Sequence, residues 1–218
     1  MFDLHVHSTL SDGELIPSEI ARRMAAMGNE GVAITDHADF SNIPLIMDCL
    51  RKLQDLRDDY GVELLFGVEI THVPPKLIGK AVELAWREGA EIVVVHGETI
   101  AEPVEKGTNE VAVQEEIDIL AHPGLIDIKT AELAASNGVY LEISARRGHC
   151  LANGHVARIA LETGCKLVIN TDAHSPDDFI DDGFAMKVLV GAGLDAERSA
   201  EVLENNKRVF RKRSKGGN

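Results

Sequence analysis

The sequence predicts an α/β fold built on a seven-stranded parallel sheet, and three observations lead to this prediction. Short apolar runs alternate with longer amphipathic stretches along the 218 residues. Each short run is almost continuously apolar, as expected for strands covered on both faces. No linker, low-complexity segment or change of composition interrupts the alternation, which indicates one domain. This pattern fits both an open doubly wound sheet and a closed barrel.

The elements follow one another in a regular order. The predicted strands are Phe2–His7, Gly31–Thr35, Glu63–Glu69, Glu91–His96, Asp118–His122, Val139–Ser144 and Lys166–Asp172. The predicted helices are Pro17–Met27, Pro44–Tyr60, Lys76–Glu88, Glu110–Glu116, Thr130–Ser136, Ala152–Thr163, Asp182–Gly191 and Asp195–Asn205. Pro17 at the start of a predicted helix and Gly28 just past its end are typical of helix boundaries. The first strand lacks a following glycine-rich phosphate loop, which weakens the dinucleotide-binding version of the open sheet.

The charge is acidic and unevenly distributed. The formal net charge is −14, yet Lys207 to Lys215 contains six basic residues and no acidic one. The remaining residues carry 36 acidic against 16 basic side chains. An acidic surface repels a phosphate backbone, so we expect small substrates rather than nucleic acid. We interpret residues 1–210 as a single barrel domain and 211–218 as a solvated basic C-terminal tail.

The cysteines and the N-terminal residues bear on localisation. The three cysteines, Cys49, Cys150 and Cys165, are widely spaced and suit reduced thiols better than disulfides. The N-terminus lacks the basic and apolar regions of a signal peptide, and no apolar run is long enough for a membrane span. We therefore expect a cytoplasmic protein without membrane contact.

Metal-ligating residue types stand where the predicted strands end. These residues are His5, His7, His37, Glu69, His96, His122, Asp172 and His174. Parallel barrels build their active sites at this edge. Strand alternation predicts that His5 and His7 point inward together while Leu4 and Val6 face the helices. It also predicts that Gly67, two residues before Glu69, leaves room near the barrel axis.

A single histidine at a strand end is usually just a hydrogen-bonded side chain. The whole set is different, because so many ionisable groups buried without partners would be costly. We therefore interpret it as a metal site, and the mixture of imidazole and carboxylate suits zinc, manganese or iron.

As an ordered set, these motifs resemble the PHP (polymerase and histidinol phosphatase) family from residue 2 to about 210. The matching segments are His5-Val6-His7-Ser8, Ser11-Asp12-Gly13, Thr35-Asp36-His37, Glu69, His96, His122 and Thr171-Asp172-Ala173-His174. The resemblance implies a distorted TIM-like (βα)7 barrel with three divalent metal ions. It assigns His5, His7, Glu69 and Asp172 to the first ion, Asp12, His37 and His174 to the second, and Glu69, His96 and His122 to the third. Many relatives have histidine where this chain has Asp12.

The resemblance also implies a metal-dependent phosphoesterase, in which a metal-bridging hydroxide attacks phosphorus and Glu69 and Asp172 are catalytic ligands. Arg146 and Arg147 follow the sixth strand, and one of them is a candidate phosphate clamp, although a plain surface pair is equally expected. His149 is a candidate general acid, substrate contact or simple loop residue.

Four further polar residues and one loop have more open roles. Asp36 is expected either to orient a ligand or to serve turn chemistry. His72 follows Glu69 in a loop that could reach the site, and His155 is expected on a helix. The polar loop from His96 to Asn109 is expected to shape the substrate site, and Glu102 within it is given no role.

The leading hypothesis is a phosphomonoesterase acting on a small phosphorylated metabolite. A PHP-type nuclease acting on phosphodiesters is the second. An amidohydrolase is disfavoured, because that family often has a metal-bridging lysine at strand four and this chain has Val95-His96. A non-catalytic scaffold like the metal-free barrels of ribonuclease P is disfavoured because the ligand set is complete. The sequence leaves the oligomeric state open.

Overall fold

The computed structural model describes residues 1–215, which contain seven parallel strands in sequential order. The strands are β1 (Phe2–Val6), β2 (Gly31–Ala38), β3 (Glu63–Ile70), β4 (Ile92–His96), β5 (Ile119–Ala121), β6 (Tyr140–Ser144) and β7 (Leu167–Asn170). Sequential order in a curved parallel sheet gives a nearly closed barrel and excludes the open doubly wound alternative. The predicted α/β fold with a TIM-like (βα)7 barrel is therefore confirmed.

Helices cover the outside of the barrel. They are α1 (Pro17–Ala26), α2 (Ile43–Arg51), α3 (Ile78–Arg87), α4 (Thr108–Ala112), α5 (Ile128–Asn137), α6 (Asn153–Thr163), α7 (Asp182–Gly191) and α8 (Ala196–Ser214). The predicted helix Pro44–Tyr60 instead divides into α2 and a 3₁₀ segment, Gln54–Tyr60. That segment has no buried residue, so no apolar face stabilises a continuous helix there. No helix in residues 1–215 has the length and apolarity that a membrane span requires.

Side chains complete the barrel between β7 and β1, where the backbone ladder is sparse. Just beyond β7, Ala173 forms an isolated bridge with Val6 of β1. Thr171 Oγ1 donates to Asp3 Oδ2 at 2.5 Å across this seam. From α8, Asn206 donates to the Phe2 carbonyl at 3.0 Å and accepts from the Ile169 amide at 2.9 Å. The seam is thus closed by amide and carboxylate groups that replace the missing ladder bonds.

The C-terminal helix runs past the predicted domain boundary. The solvated tail was expected to begin at residue 211, but α8 continues to Ser214. Arg213 Nε lies 2.6 Å from Asp118 Oδ1, and its guanidinium group stacks 4.6 Å from the centre of the Trp86 ring. Arg211 pairs with Glu63. These partners on the barrel explain why the basic residues are helical and docked; residues 216–218 of the predicted tail lie outside the described residues.

The barrel interior has its own apolar cluster below the site. It contains Phe2, Leu4, Ala33, Leu65, Ile92, Val94, Ile119, Ala121, Val168, Val209 and Phe210. The prediction that Leu4 faces the helices is therefore wrong. The register of β1 against β2 shifts between Asp3 and Val6, and this irregularity lets Leu4 and His5 both face inward.

Gly67 serves a different purpose from the predicted one. A Cβ atom at this position would lie 2.1 Å from the Ile92 carbonyl oxygen. The space beside Gly67 is therefore filled by the first residue of β4 rather than left open near the axis. Glycine is required here because two backbones approach closely.

Candidate metal-dependent active site

The nine predicted ligand residues gather at the carboxyl edge of the barrel. They are His5, His7, Asp12, His37, Glu69, His96, His122, Asp172 and His174. His5 and Glu69 are completely buried, whereas the Asp12 side chain is 57% exposed. The chain brings them together because parallel strands deliver their last residues to one edge.

Glu69 lies at the centre of the cluster. Its Oε1 atom is 3.3 Å from His5 Nε2 and 3.4 Å from His122 Nε2. Its Oε2 atom is 2.7 Å from His37 Nδ1 and 3.6 Å from His7 Nε2. One carboxylate therefore faces four imidazoles with both of its oxygens, which is the arrangement that a bridging ligand requires.

Asp172 forms the second carboxylate of the cluster. Its Oδ1 atom is 3.2 Å from His7 Nε2 and 3.5 Å from His174 Nδ1, and its Oδ2 atom is 3.6 Å from His122 Nε2. Asp172 and His122 both have positive φ angles, 52° and 26°, which are costly for residues other than glycine. The fold tolerates this strain where it aims the two side chains into the cluster.

A more exposed group lies at the rim. Asp12 Oδ1 is 3.2 Å from His174 Nε2 and 3.7 Å from His37 Nε2. Potential ligand atoms of His7, Asp12, His37 and His174 all lie within 4.8 Å of one another. This group contains the three residues assigned to the second ion and adds His7.

Asp36 fixes the loop that carries Asp12. It accepts hydrogen bonds from the Ser8 amide at 2.8 Å, the Ser8 hydroxyl at 2.7 Å and the Ser11 hydroxyl at 2.7 Å. The turn alternative for Asp36 is therefore the one that the structure shows. It positions Asp12 through the loop rather than by touching a ligand.

Sequence reasoning missed Glu142, which lies buried beneath His5. Its Oε1 atom is 2.9 Å from His5 Nδ1 and accepts from Asn170 Nδ2 at 2.8 Å, and its Oε2 atom accepts from the His122 amide at 3.0 Å. A carboxylate behind an imidazole fixes its tautomer and makes the far nitrogen a better ligand. A glutamate between Leu141 and Ile143 in the middle of β6 was the signal that could have identified it.

The electrostatics of the cluster favour positive charge at its centre. Burial opposes protonation of His5, but Glu69, Glu142 and Asp172 overcome this effect and raise its pKa well above the usual range. Burial also works against ionisation of Glu69, yet the surrounding imidazoles hold the pKa of Glu69 well below its usual value. The carboxylates therefore remain charged inside the barrel, where a divalent cation would be strongly attracted.

Unsatisfied atoms test whether the residues fit metal ions. Glu69 Oε1 and Asp172 Oδ1 are buried and make no well-aligned hydrogen bond among the described residues, although imidazole nitrogens lie 3.3 Å and 3.2 Å away. Such oxygens are costly to bury unless a cation or another partner satisfies them. Imidazoles and carboxylates without thiolates form a donor set suited to zinc, manganese or iron. The residues present therefore fit divalent metal ions.

His96 does not share a potential ligand group with its expected partners Glu69 and His122, although its ring centre lies 4.4 Å from that of His122. His5, Glu69 and His122 form one potential ligand group, whereas His96 groups with His72 and Glu102. His96 Nε2 lies 3.1 Å from Glu102 Oε2. Glu102 was given no role from the sequence, because its loop has no regular periodicity.

The three candidate substrate residues occupy different positions. Arg146 Nη1 donates to the Asp172 carbonyl at 3.0 Å and lies 2.7 Å from His174 Nδ1, so it borders the cluster. Arg147 lines a neighbouring groove of about 590 Å³ with Arg146 and Lys187. His149 is buried, and its ring centre lies 4.1 Å from that of His122. His155 lies on α6, as expected, and contacts the Ile126 carbonyl at 2.7 Å.

Comparisons with known proteins agree with this geometry. Residues 3–95 match the family model described as PHP domain. An uncharacterized protein of Methanocaldococcus jannaschii is 52% identical over 198 residues, covering 88% of this chain and 90% of that protein. A probable phosphatase of Syntrophotalea carbinolica is 28% identical over 90% of this chain and 89% of its own length.

Two further comparisons extend the range of relatives. The DNA polymerase/3′-5′ exonuclease PolX of Bacillus subtilis is 29% identical over 79% of this chain, which spans 34% of that protein. Among solved structures, a chain of an archaeal ribonuclease P complex with mature tRNA has a TM-score of 0.74 at 17% identity. The similarity covers 96% of this chain and 90% of that chain, and it shows a shared fold.

Proposed function

Because the chain belongs to the PHP family and is a metal-dependent hydrolase of phosphate esters, we propose that it cleaves the phosphomonoester of a small phosphorylated metabolite. The observation that carries the proposal is the convergence of buried histidines and carboxylates on Glu69 at the barrel edge. Two buried carboxylate oxygens without a well-aligned hydrogen bond make that cluster suited to cations rather than to a purely structural network.

The proposed ligand sets are those that the family resemblance implies. His5, His7, Glu69 and Asp172 would hold one divalent ion. Asp12, His37 and His174 would hold a second, and Glu69 and His122 would contribute with His96 to a third. Bound divalent ions lower the pKa of a water molecule and neutralise phosphoryl oxygens.

The chain's own residues orient the metal ligands and the substrate. Glu142 holds the imidazole of His5 at 2.9 Å and so fixes which nitrogen faces the cluster. Arg146, bordering Asp172, presents a guanidinium group that matches phosphoryl oxygens in a bidentate manner. Arg147 would bind the remainder of a charged substrate in the neighbouring groove.

The charge of the protein favours a small substrate. The formal net charge is −14, and the basic residues Arg211 and Arg213 are engaged by Glu63 and Asp118. Those two arginines therefore do not form a free basic arm for a polynucleotide. Long nucleic acids need several phosphate contacts from basic side chains for binding.

The proposal is tested by metal analysis and substrate screening of the full chain. Wild type and Glu69→Gln are compared on p-nitrophenyl phosphate, a panel of sugar phosphates, bis-p-nitrophenyl phosphate and single-stranded DNA. We expect monoester turnover that requires zinc, manganese or iron and falls at least about 10²-fold in Glu69→Gln, because a ligand facing four imidazoles is lost.

Three outcomes would contradict the proposal. Turnover that survives complete metal removal would overturn the metallohydrolase mechanism. Cleavage of diesters or DNA without any monoester turnover would favour the nuclease alternative. Failure of the wild type to bind zinc or manganese would favour a scaffold.

A further inference from the structure

A strained histidine marks a second group of side chains at the mouth of the site. Among residues 1–215, the non-glycine residues with positive φ are His72, His122 and Asp172. Two of them are predicted metal ligands. His72, with φ 52°, is outside the predicted set, and its Nε2 atom lies 3.5 Å from Glu102 Oε2. Strain in a non-glycine residue persists where surrounding structure imposes it, often at functional positions.

Glu102 is presented by a braced loop rather than by a loose one. Glu98, at the start of the loop, accepts hydrogen bonds from the Gly107 amide at 2.9 Å and the Asn109 amide at 3.0 Å. The Asn109 side chain bonds back to the Glu98 amide at 2.9 Å and to the Pro123 carbonyl at 2.8 Å. These bonds close the base of the loop and fix the direction of its tip.

The carboxylate of Glu102 then meets imidazoles from three other segments of the chain. His96 Nε2 is 3.1 Å from Oε2, and His149 Nε2 is 3.3 Å from Oε1. Potential ligand atoms of His72, His96 and Glu102 lie within 4.8 Å of one another. The ring centres of His72 and His96 are 5.0 Å apart, so both imidazoles reach the same carboxylate.

The hydrogen bond on the other side of His96 fixes its tautomer. His96 Nδ1 lies 3.1 Å from the Gly97 carbonyl oxygen, which can only accept, so Nδ1 carries the hydrogen. In the neutral ring, the lone pair of Nε2 therefore points toward an oxygen of Glu102. Two acceptors facing each other at this distance repel unless a proton or a metal ion lies between them. This is the tautomer that a metal-binding histidine adopts.

We propose that the divalent transition-metal ion to which His96 contributes is also coordinated by His72 and Glu102, at the mouth of the barrel. Glu102 and His72 are thereby metal ligands in addition to the nine residues at the strand ends. Loop 97–107 thereby becomes part of the metal site through the carboxylate of Glu102. This inference rests on the proposed function only in taking His96 to be a metal ligand.

The test measures zinc binding instead of turnover. The full chain is stripped with a chelator, and zinc stoichiometry and dissociation constants are measured by equilibrium dialysis and chelator competition. The variants are Glu102→Gln and His72→Asn, since asparagine tolerates a positive φ. Glu105→Gln, an exposed glutamate of the same loop, is the matched control for charge. Circular dichroism melting establishes that each variant is folded.

We expect Glu102→Gln and His72→Asn each to lower the affinity for one zinc ion by at least about tenfold, while the other ions bind as in wild type. Glu105→Gln should bind zinc as wild type does. His96→Asn should lose the same ion, and adding Glu102→Gln to His96→Asn should change zinc binding no further. Binding curves of both variants that superimpose on wild type would overturn the inference. If the inference is overturned in this way but Glu69→Gln lowers zinc binding in the same assay, the proposed function still stands.

Discussion

Removing the Asn206 side chain should destabilise the barrel more than removing that of its neighbour Asn205. Asn206 is fully buried in α8 and satisfies the Phe2 carbonyl, the Ile169 carbonyl and the Ile169 amide across the seam between β7 and β1. A buried hydrogen bond contributes about 1 kcal/mol to stability, and backbone groups left without a hydrogen-bond partner add to the loss. Asn206→Ala should therefore lower the free energy of unfolding by about 3–4 kcal/mol.

Asn205→Ala is the matched control, because it makes the same chemical change in the same helix. Asn205 is 2% exposed and donates one hydrogen bond, to the Leu167 carbonyl at 3.0 Å. We expect a loss of about 1 kcal/mol for this variant. Because both substitutions replace asparagine with alanine, the change in helix propensity is common to both.

Urea denaturation followed by circular dichroism measures both losses. The experiment is done with excess chelator, since bound metal would stabilise the native state and mask the difference. The slope of the unfolding free energy against urea concentration should be the same in both variants as in wild type. If Asn206→Ala costs no more than Asn205→Ala, side-chain closure of the seam is not what stabilises this part of the barrel.

Two further predictions concern the active site. Glu142→Gln should lower the affinity for the ion held by His5 by about 10–100-fold, because the amide supports the imidazole less well than a carboxylate; chelator competition measures the change. Arg146→Ala should raise KM for a phosphomonoester at least about tenfold with metal content unchanged, because a charge-assisted contact to phosphate is lost; steady-state kinetics and metal analysis measure both quantities.

Each of these predictions has its own control. For Glu142, the exposed Glu132→Gln should leave metal affinity at the wild-type value, and equal affinities in both variants would contradict the assigned role. For Arg146, the comparison is Arg158→Ala on α6, whose guanidinium group pairs with Glu162 at 2.7 Å. An unchanged KM in Arg146→Ala would remove Arg146 as the phosphate clamp.

The sequence specified the barrel through local patterns. The alternation of apolar runs and amphipathic stretches depends on residues that are neighbours in the chain, so it could be interpreted without coordinates. The residues His5, Glu69 and Asp172 were found in the same way, because each stands near or just beyond the end of its strand. Parallel strands necessarily bring those ends to one edge, and the cluster around Glu69 follows from that topology.

The tertiary structure decided whatever depends on contacts between distant segments. Glu142 supports His5 from 137 residues away, and Asn206 bonds to Phe2 across 204 residues. Neither contact has a local periodicity, since each exists only after the sheet has curved and α8 has docked. The irregularity in β1 likewise turned Leu4 inward, against the strict alternation of an ideal strand.

The outer part of the site shows the same division. Its histidines could be predicted as a set, but the direction in which His96 points depends on a braced loop that carries Glu102. The sequence by itself therefore determined the fold class and the residue types at the strand ends, because both arise from local order. The tertiary structure alone decided which of those residues share a partner, because long-range packing fixes the orientation of each side chain.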